Sequence, residues 1–160
     1  MSNKKMIKAG ILAASLFLAI PFGSVVHAET NSLYEAYTEK KTAEDHAEDT
    51  AYSLLRGNNL GFGNASVTKL SSNEINVFGL TQCHHACQTV YLSLYLERKI
   101  NGNYATYKSW DFTTSNATKL TKSLNVWVPR GYYYRVRGYH AAKDGTREST
   151  STLTSGIWMN

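Results

Sequence analysis

The stretch "TVYLSLYLERKINGNYATY", residues 89–107, decides the fold class because it contains an alternating strand, a tight turn and a returning strand. Its apolar residues fall at every second position, which is the period of a half-buried strand: Val90, Leu92, Leu94 and Leu96. The dipeptide Asn101-Gly102 accepts the positive φ angles of a two-residue type I′ turn. The stretch therefore predicts an antiparallel hairpin.

Further runs with the same texture surround this hairpin and are separated by clusters of turn residues. They are "GNNLGFGNASVTKL" (57–70), "EINVFGLTQC" (74–83), "TKLTKSLNVWV" (118–128), "YYYRVRGYH" (132–140) and "STSTLTSGIWM" (149–159). Short strands at this spacing are typical of antiparallel sandwiches. We therefore predict a mainly β domain over residues 58–160, with seven strands in an immunoglobulin-like or fibronectin-like sandwich.

The first 28 residues have the composition of a cleaved signal peptide. Lysines at the start precede an apolar run that ends at Phe22, and "VHA" supplies small residues before a cut after Ala28. The apolar run is short for a membrane span, and we expect no span after cleavage. The mature chain is therefore predicted to be extracellular or loosely associated with the cell surface.

An acidic segment, residues 29–57, follows the predicted cleavage site. Its first part, residues 29–50, has a net charge of about −5, whereas the remaining mature chain has about +7. The spacing of Ser32 and Glu35 suits a helix cap and Gly57 suits a helix end. Its apolar stripe is weak, so a docked helix and a mobile leader remain equal alternatives.

Two resemblances accompany these patterns. The run "LNVWVPRGYYYRVRGYHAAKDGTREST", residues 124–150, resembles the end of a fibronectin type III domain. With "GLTQCHHACQTVYLSLYLER", "YKSWDF" and "GYYYRVRGYH", the chain also resembles small secreted proteins of unknown function from Gram-positive gut bacteria. The resemblance implies secretion and a β domain, and it implies no activity.

Cysteine and histidine lie together in "QCHHACQ", residues 82–88. Cys83 and Cys87 are the only cysteines of an exported chain, which favours a disulfide across a short connection between two strands. His84, His85, His140 and Asp144 would lie at one end of the sandwich, but their spacing matches no known ligand signature, so we expect no metal and no cofactor. No nucleophile or phosphate-binding motif is present in the sequence, and we expect no enzyme activity.

One face of the predicted sheet combines aromatic and basic side chains. If Asn101-Gly102 forms a two-residue turn, residues whose numbers add to about 203 face each other, and Trp110 joins the outer face. A longer turn would shift the register and send Trp110 inward. The candidate ligand-binding residues on this face are Tyr91, Tyr95, Trp110, Tyr133, Arg135, Arg137 and Tyr139.

Two uses of this face compete. It could be covered by the acidic segment, or it could bind an extracellular glycan or protein through its aromatic rings and arginines. Nucleic acid is disfavoured because the mature chain has a net charge of only about +2. An alternative is a secreted antimicrobial or signalling protein with the acidic segment as a removable pro-region.

Overall fold

The computed structural model describes residues 44–53 and 57–160. Within them, no helix is long and apolar enough to be a membrane-spanning segment. Every strand pairing is antiparallel, which confirms the predicted mainly β, antiparallel fold. The strands are β1 (His46–Tyr52), β2 (Leu60–Ser71), β3 (Glu74–Ile100), β4 (Asn103–Trp127), β5 (Tyr132–Asp144), β6 (Thr146–Leu153) and β7 (Ile157–Met159).

The long hairpin of β3 and β4 organises the sheet. β4 pairs along nearly all of β3, whereas the other edge of β3 pairs first with β2 and then with β5. This pairing divides the sheet into two layers. The first layer contains β1, β2, residues 74–83 of β3 and residues 119–127 of β4. The second layer contains the rest of β3 and β4 together with β5, β6 and β7.

The two layers pack face to face because β3 folds back on itself. A Cβ atom built on Gly79 in the first layer would lie 2.6 Å from Leu94 Cδ2 and 3.1 Å from Leu92 Cδ1 in the second layer. Only a residue without a side chain leaves room for this approach. The enclosed core is mainly apolar, and its residues alternate along each strand with exposed ones. The largest apolar contribution comes from β3: Ile75, Val77, Val90, Leu92, Leu94 and Leu96.

The outer strands β1 and β6 also approach each other, so the sheet is nearly closed. Asp49 of β1 points inward, and its Oδ2 accepts a hydrogen bond from the Leu153 amide at 2.7 Å. The Thr150 hydroxyl donates to the Tyr52 carbonyl at 3.4 Å. Side chains thus satisfy backbone groups where the ladder of strand hydrogen bonds ends.

A carboxylate fastens the start of β2 to β6. Glu148 accepts hydrogen bonds from three successive backbone amides, those of Asn58, Asn59 and Leu60, at 2.9–3.1 Å. The Asn59 side chain in turn donates to the carbonyls of Asp144 and Thr146. Charge-assisted bonds of this kind are stronger than neutral ones, so Glu148 fixes the junction between the two layers.

Part of the acidic segment differs from its predicted structure. Residues 46–52 form β1, so neither of the two alternatives, a docked helix or a mobile leader, is correct for this part. The alternation that the strand uses places only Ala47, Asp49 and Ala51 on the inner side. Two alanines and an aspartate give a weak apolar signal, and this is why the sequence looked polar throughout. The predicted signal peptide and residues 29–43 lie outside the described residues.

The described residues form seven strands, but only six of them, β2 to β7, lie in residues 58–160, where we predicted seven, and their boundaries differ from the predicted ones. We predicted separate strands before and after Cys83–Cys87, whereas β3 continues through this segment with a shift of register between Gln82 and Cys87. β4 likewise continues through residues 113–118, where Asn116 has a φ of 51°. Two packed antiparallel layers are present, but they share β3 and β4, unlike the two separate sheets of an immunoglobulin-like sandwich.

The register of the β3–β4 hairpin changes partway along. Asn101 and Gly102 have φ angles of 51° and 84°, which confirms the predicted two-residue turn. Glu97 pairs with Thr106, but Leu96 pairs with Lys108, so Tyr107 is an extra residue in β4. Such a bulge shifts all later pairs by one position. Trp110 therefore pairs with Leu94 and packs against the core. The prediction that Trp110 lies on the outer face is wrong.

Candidate functional site

The outer surface of the second layer carries the site that the structure supports best. Direct cross-strand pairs place residues of β3 and β5 on the same side: Tyr95 with Arg137, Glu97 with Arg135, and Ser93 with Tyr139. Their neighbours Tyr134, Val136 and His140 are buried on the opposite side, which confirms the predicted phase of β5. We call this surface the arginine–tyrosine face, and it consists of Tyr91, Tyr95, Glu97, Tyr104, Arg135, Arg137, Tyr139 and Arg147.

Cations on this face lie over aromatic rings. The guanidinium carbon of Arg137 lies 4.1 Å from the ring centre of Tyr95, and that of Arg135 lies 3.9 Å from the ring centre of Tyr104. Arg147 of β6 lies 4.4 Å from the ring centre of Tyr91 and 5.7 Å from that of Tyr139. Each pair contributes about 0.5–1 kcal/mol when exposed. The stacked pairs restrict the movement of the guanidinium groups.

Glu97 connects the two central arginines. Its Oε2 accepts a hydrogen bond from Arg135 Nε at 2.8 Å, and its Oε1 accepts one from Arg137 Nε at 2.9 Å. The residue is only 7% exposed, so water screens these bonds weakly. One carboxylate thereby orients two guanidinium groups that lie two positions apart on β5. The alternation of residues 89–97 places Glu97 on the same side as Tyr91 and Tyr95, but its role becomes visible only once its pairing with Arg135 is known.

Tyr133, another predicted binding residue, occupies a different environment. Its ring lies 5.0 Å from the ring of Trp158 on β7, and the Lys99 ammonium lies 5.8 Å from the Tyr133 ring centre. Its hydroxyl is buried and has no hydrogen-bond partner in the described part of the chain. Tyr133 therefore lies at one end of the arginine–tyrosine face, where its half-buried ring packs against Trp158.

The histidines do not form the predicted cluster of His84, His85 and His140 near Asp144. His85 Nε2 lies 3.1 Å from Asp144 Oδ2, at the exposed corner of β3. His140 instead is fully buried between the layers, where its ring nitrogens contact the Thr81 and Thr152 hydroxyls at 3.1 and 3.0 Å. Burial lowers the pKa of His140 to about 4. Among residues 44–53 and 57–160, no group of three or more His, Cys, Asp or Glu side chains could hold a metal ion.

Cys83 and Cys87 flank the corner at which β3 folds back. Both are buried free thiols in the structure, and the Cys87 thiol donates to the Asn59 carbonyl at 3.8 Å. Burial, followed by contact with Cys87, raises the pKa of Cys83 to about 12. A raised pKa keeps a thiol protonated, and the protonated form is the weaker nucleophile. The predicted disulfide remains a prediction.

We expect the exported protein to contain the Cys83–Cys87 disulfide, because an oxidising compartment joins neighbouring thiols. Formation of the bond removes one hydrogen from each thiol and transfers two electrons to an external thiol oxidant. Intact mass spectrometry of the exported chain should therefore show a gain of two hydrogens on reduction. Alkylation of both cysteines in denaturant without a reductant would contradict this expectation, and Cys83→Ser provides the control mass that reduction leaves unchanged.

Comparisons with known proteins identify the family and a remote structural likeness. Spo0M, a sporulation control protein from Bacillus subtilis, is 14% identical over 70% of this chain, with a TM-score of 0.35. Chicken MD-1, in a complex with lipid IVa, is 12% identical over 67% of this chain and 96% of its own, with a TM-score of 0.28. The chain spans about half of Spo0M, covering 49% of it. Neither likeness is close enough to support a functional assignment.

No curated protein matches the sequence significantly. A family model does match, and it covers residues 28–156, which is most of the chain. The matched segment includes every strand of the first layer and all of the arginine–tyrosine face. The chain therefore belongs to the family of unknown function DUF6147.

Proposed function

We propose that the protein is an exported, non-enzymatic binding protein that holds an extracellular glycan or protein on its arginine–tyrosine face. Export is supported by the charged start, apolar run and small residues of the first 28 positions. The family match begins at residue 28, at the end of this leader. The non-enzymatic part of the proposal rests on the sequence, in which we find no nucleophile or phosphate-binding motif.

The observation that carries the proposal is the fixed position of Arg135 and Arg137. Free arginine side chains lose considerable rotamer entropy when they bind a ligand. Here the Glu97 carboxylate and the rings beneath the guanidinium groups have already removed that freedom. Pre-organisation lowers the cost of association. Because the side chain of Arg137 is still 41% exposed, a ligand can reach it.

The sequence left open that the acidic segment covers this face, but the described part of the segment does not lie on it. Asp49 bonds to Leu153, Glu48 bonds to Asn64, and both belong to β1 of the first layer. Residues 46–52 are therefore part of the folded domain. In the alternative function, an antimicrobial or signalling protein with a removable pro-region, the cut would have to fall before β1.

Replacing Arg137 with glutamine should weaken binding by about tenfold, the effect of losing a charge-assisted contact of about 1.4 kcal/mol. The matched control is Lys119→Gln, which removes one positive charge from an exposed position of β4 in the other layer. Labelled protein would be applied to arrays of glycans and extracellular proteins and to the surface of whole cells. Equal binding by the two variants would remove the arginine–tyrosine face from consideration.

A further inference from the structure

We propose that the ligand of the arginine–tyrosine face is an acidic polysaccharide, bound through its carboxylate groups along a row of stacked cations. The inference rests on the proposed function and specifies its ligand. It starts from the ring faces of Tyr95, Tyr104 and Tyr91, each of which is occupied by a cation of the protein itself. A neutral sugar stacks on an open aromatic face, and these rings offer guanidinium planes in that place.

The cations form a row along the sheet. Arg135, Arg137 and Arg147 stack on tyrosines of the face, and the Lys99 ammonium lies 5.3 Å from the ring centre of Tyr104. Arg135 and Arg137 are two residues apart on β5, which places their Cα atoms about 6.6 Å apart. Glu97 accepts a hydrogen bond from the Nε–H of each of these arginines, and we call this arrangement the clamp. The clamp does not use the four N–H groups on the terminal nitrogens of each guanidinium. Each guanidinium can bind one planar carboxylate through two parallel hydrogen bonds, so a row of them suits a polymer with successive carboxylates.

The position of the row on a sheet face favours a polysaccharide over an acidic peptide. The β3 and β5 backbones beneath the row are already paired with each other and with β4, β6 and β7. A peptide laid across this face would find no partners for its backbone amides, whereas peptides normally gain affinity by pairing with a free strand edge. An acidic polysaccharide has no amide ladder to satisfy, and its ring hydroxyls remain hydrated.

Nucleic acid fits the same face poorly. Single strands bind through bases that stack on open aromatic rings, and the rings here are covered by arginine. A duplex requires a larger excess of positive charge than the mature chain has, about +2. Charge, geometry and the covered rings thus favour a flexible, moderately charged polymer that presents carboxylates.

Polygalacturonate and its methyl ester provide a sharp test because they share one backbone and differ only in charge. We expect the full chain to bind polygalacturonate at least about tenfold more tightly than the ester, with weaker binding at high salt. Poly-glutamate and single-stranded DNA serve as the competing polyanions. Arg135→Gln should reduce binding to polygalacturonate by about tenfold, whereas Lys119→Gln should change it less than twofold.

Glu97→Gln separates orientation from net charge. This variant removes one negative charge, so simple charge attraction predicts tighter binding, whereas the loss of the clamp predicts binding weaker by about fivefold. Thermal unfolding of each variant excludes loss of the fold as the cause. A tighter complex for Glu97→Gln would overturn the proposed role of the clamp.

The remaining outcomes distinguish this inference from the proposed function. Equal affinity for the ester and the acid, still lost in Arg135→Gln, would overturn the acidic ligand and leave the binding face in place. Stronger binding to poly-glutamate or DNA would overturn the polysaccharide. No binding to polygalacturonate, or equal losses in Arg135→Gln and Lys119→Gln, would overturn the inference altogether.

Discussion

Replacing Tyr134 with alanine should lower the free energy of unfolding by about 3–5 kcal/mol, the range for removing a buried aromatic ring. Tyr134 is fully buried, packs edge-on against Tyr107, and donates its hydroxyl to the Pro129 carbonyl at 2.9 Å. Alanine would leave a cavity and an unpaired carbonyl. Urea denaturation followed by far-ultraviolet circular dichroism would measure the loss.

Two further variants divide this effect. Tyr134→Phe removes only the hydroxyl and should cost about 1 kcal/mol, the net value of one hydrogen bond. Tyr139→Ala is the matched control on the opposite side of the same strand, where the ring is half-buried and lies near Arg147. It should cost about 1 kcal/mol or less. If Tyr139→Ala were as damaging as Tyr134→Ala, the inner and outer sides of β5 would be exchanged.

Acid should destabilise the protein through His140, with a loss of about 3 kcal/mol as the pH falls from 6.5 to 4. Burial lowers the pKa of His140 from its usual 6.5 to about 4 in the folded state. Between these values the unfolded chain binds a proton and the folded chain does not, so lowering the pH favours unfolding. The neighbouring Asp49 opposes this shift, since its charge favours the protonated ring.

The free energy of unfolding measured at several pH values would show this slope. His140→Gln can keep one hydrogen bond in the Thr81 and Thr152 environment but cannot titrate, so its slope between pH 6.5 and 4 should be clearly smaller. His46→Gln changes an exposed histidine of β1 and serves as the control. A His140→Gln variant with the original slope would assign the acid sensitivity to other groups.

Local patterns were sufficient for some parts of this fold. The alternation around Leu92 and Val136 and the Asn101-Gly102 turn placed the inner and outer sides of β3 and β5 correctly. These features depend on a period of two and on the φ preference of the turn residues, both of which are local. Most predicted residues of the arginine–tyrosine face followed from the same alternation.

Other parts depend on contacts between distant residues. Tyr107 carries no mark of a bulge, and one extra residue there was enough to send Trp110 inward. The run His84-His85-Ala86 breaks the apolar alternation and indicated a loop, although it is the corner of one continuous strand. The cations that cover the tyrosines come from partner strands, as with Arg147 over Tyr91. Without the pairing, the rings looked open to sugars.

Both layers contain parts of β3 and β4, and this shared chain path determines how the domain unfolds. In a sandwich of two separate sheets, the layers can part while each keeps its own hydrogen bonds. Here the same two strands pass through both layers, and their corner lies between Cys83 and Cys87. Parting the layers means straightening a strand whose halves bury Leu94 against Gly79. Neither half is a self-sufficient unit, so cooperativity is built into the chain path itself, and its signature is coincident loss of tryptophan fluorescence and backbone ellipticity.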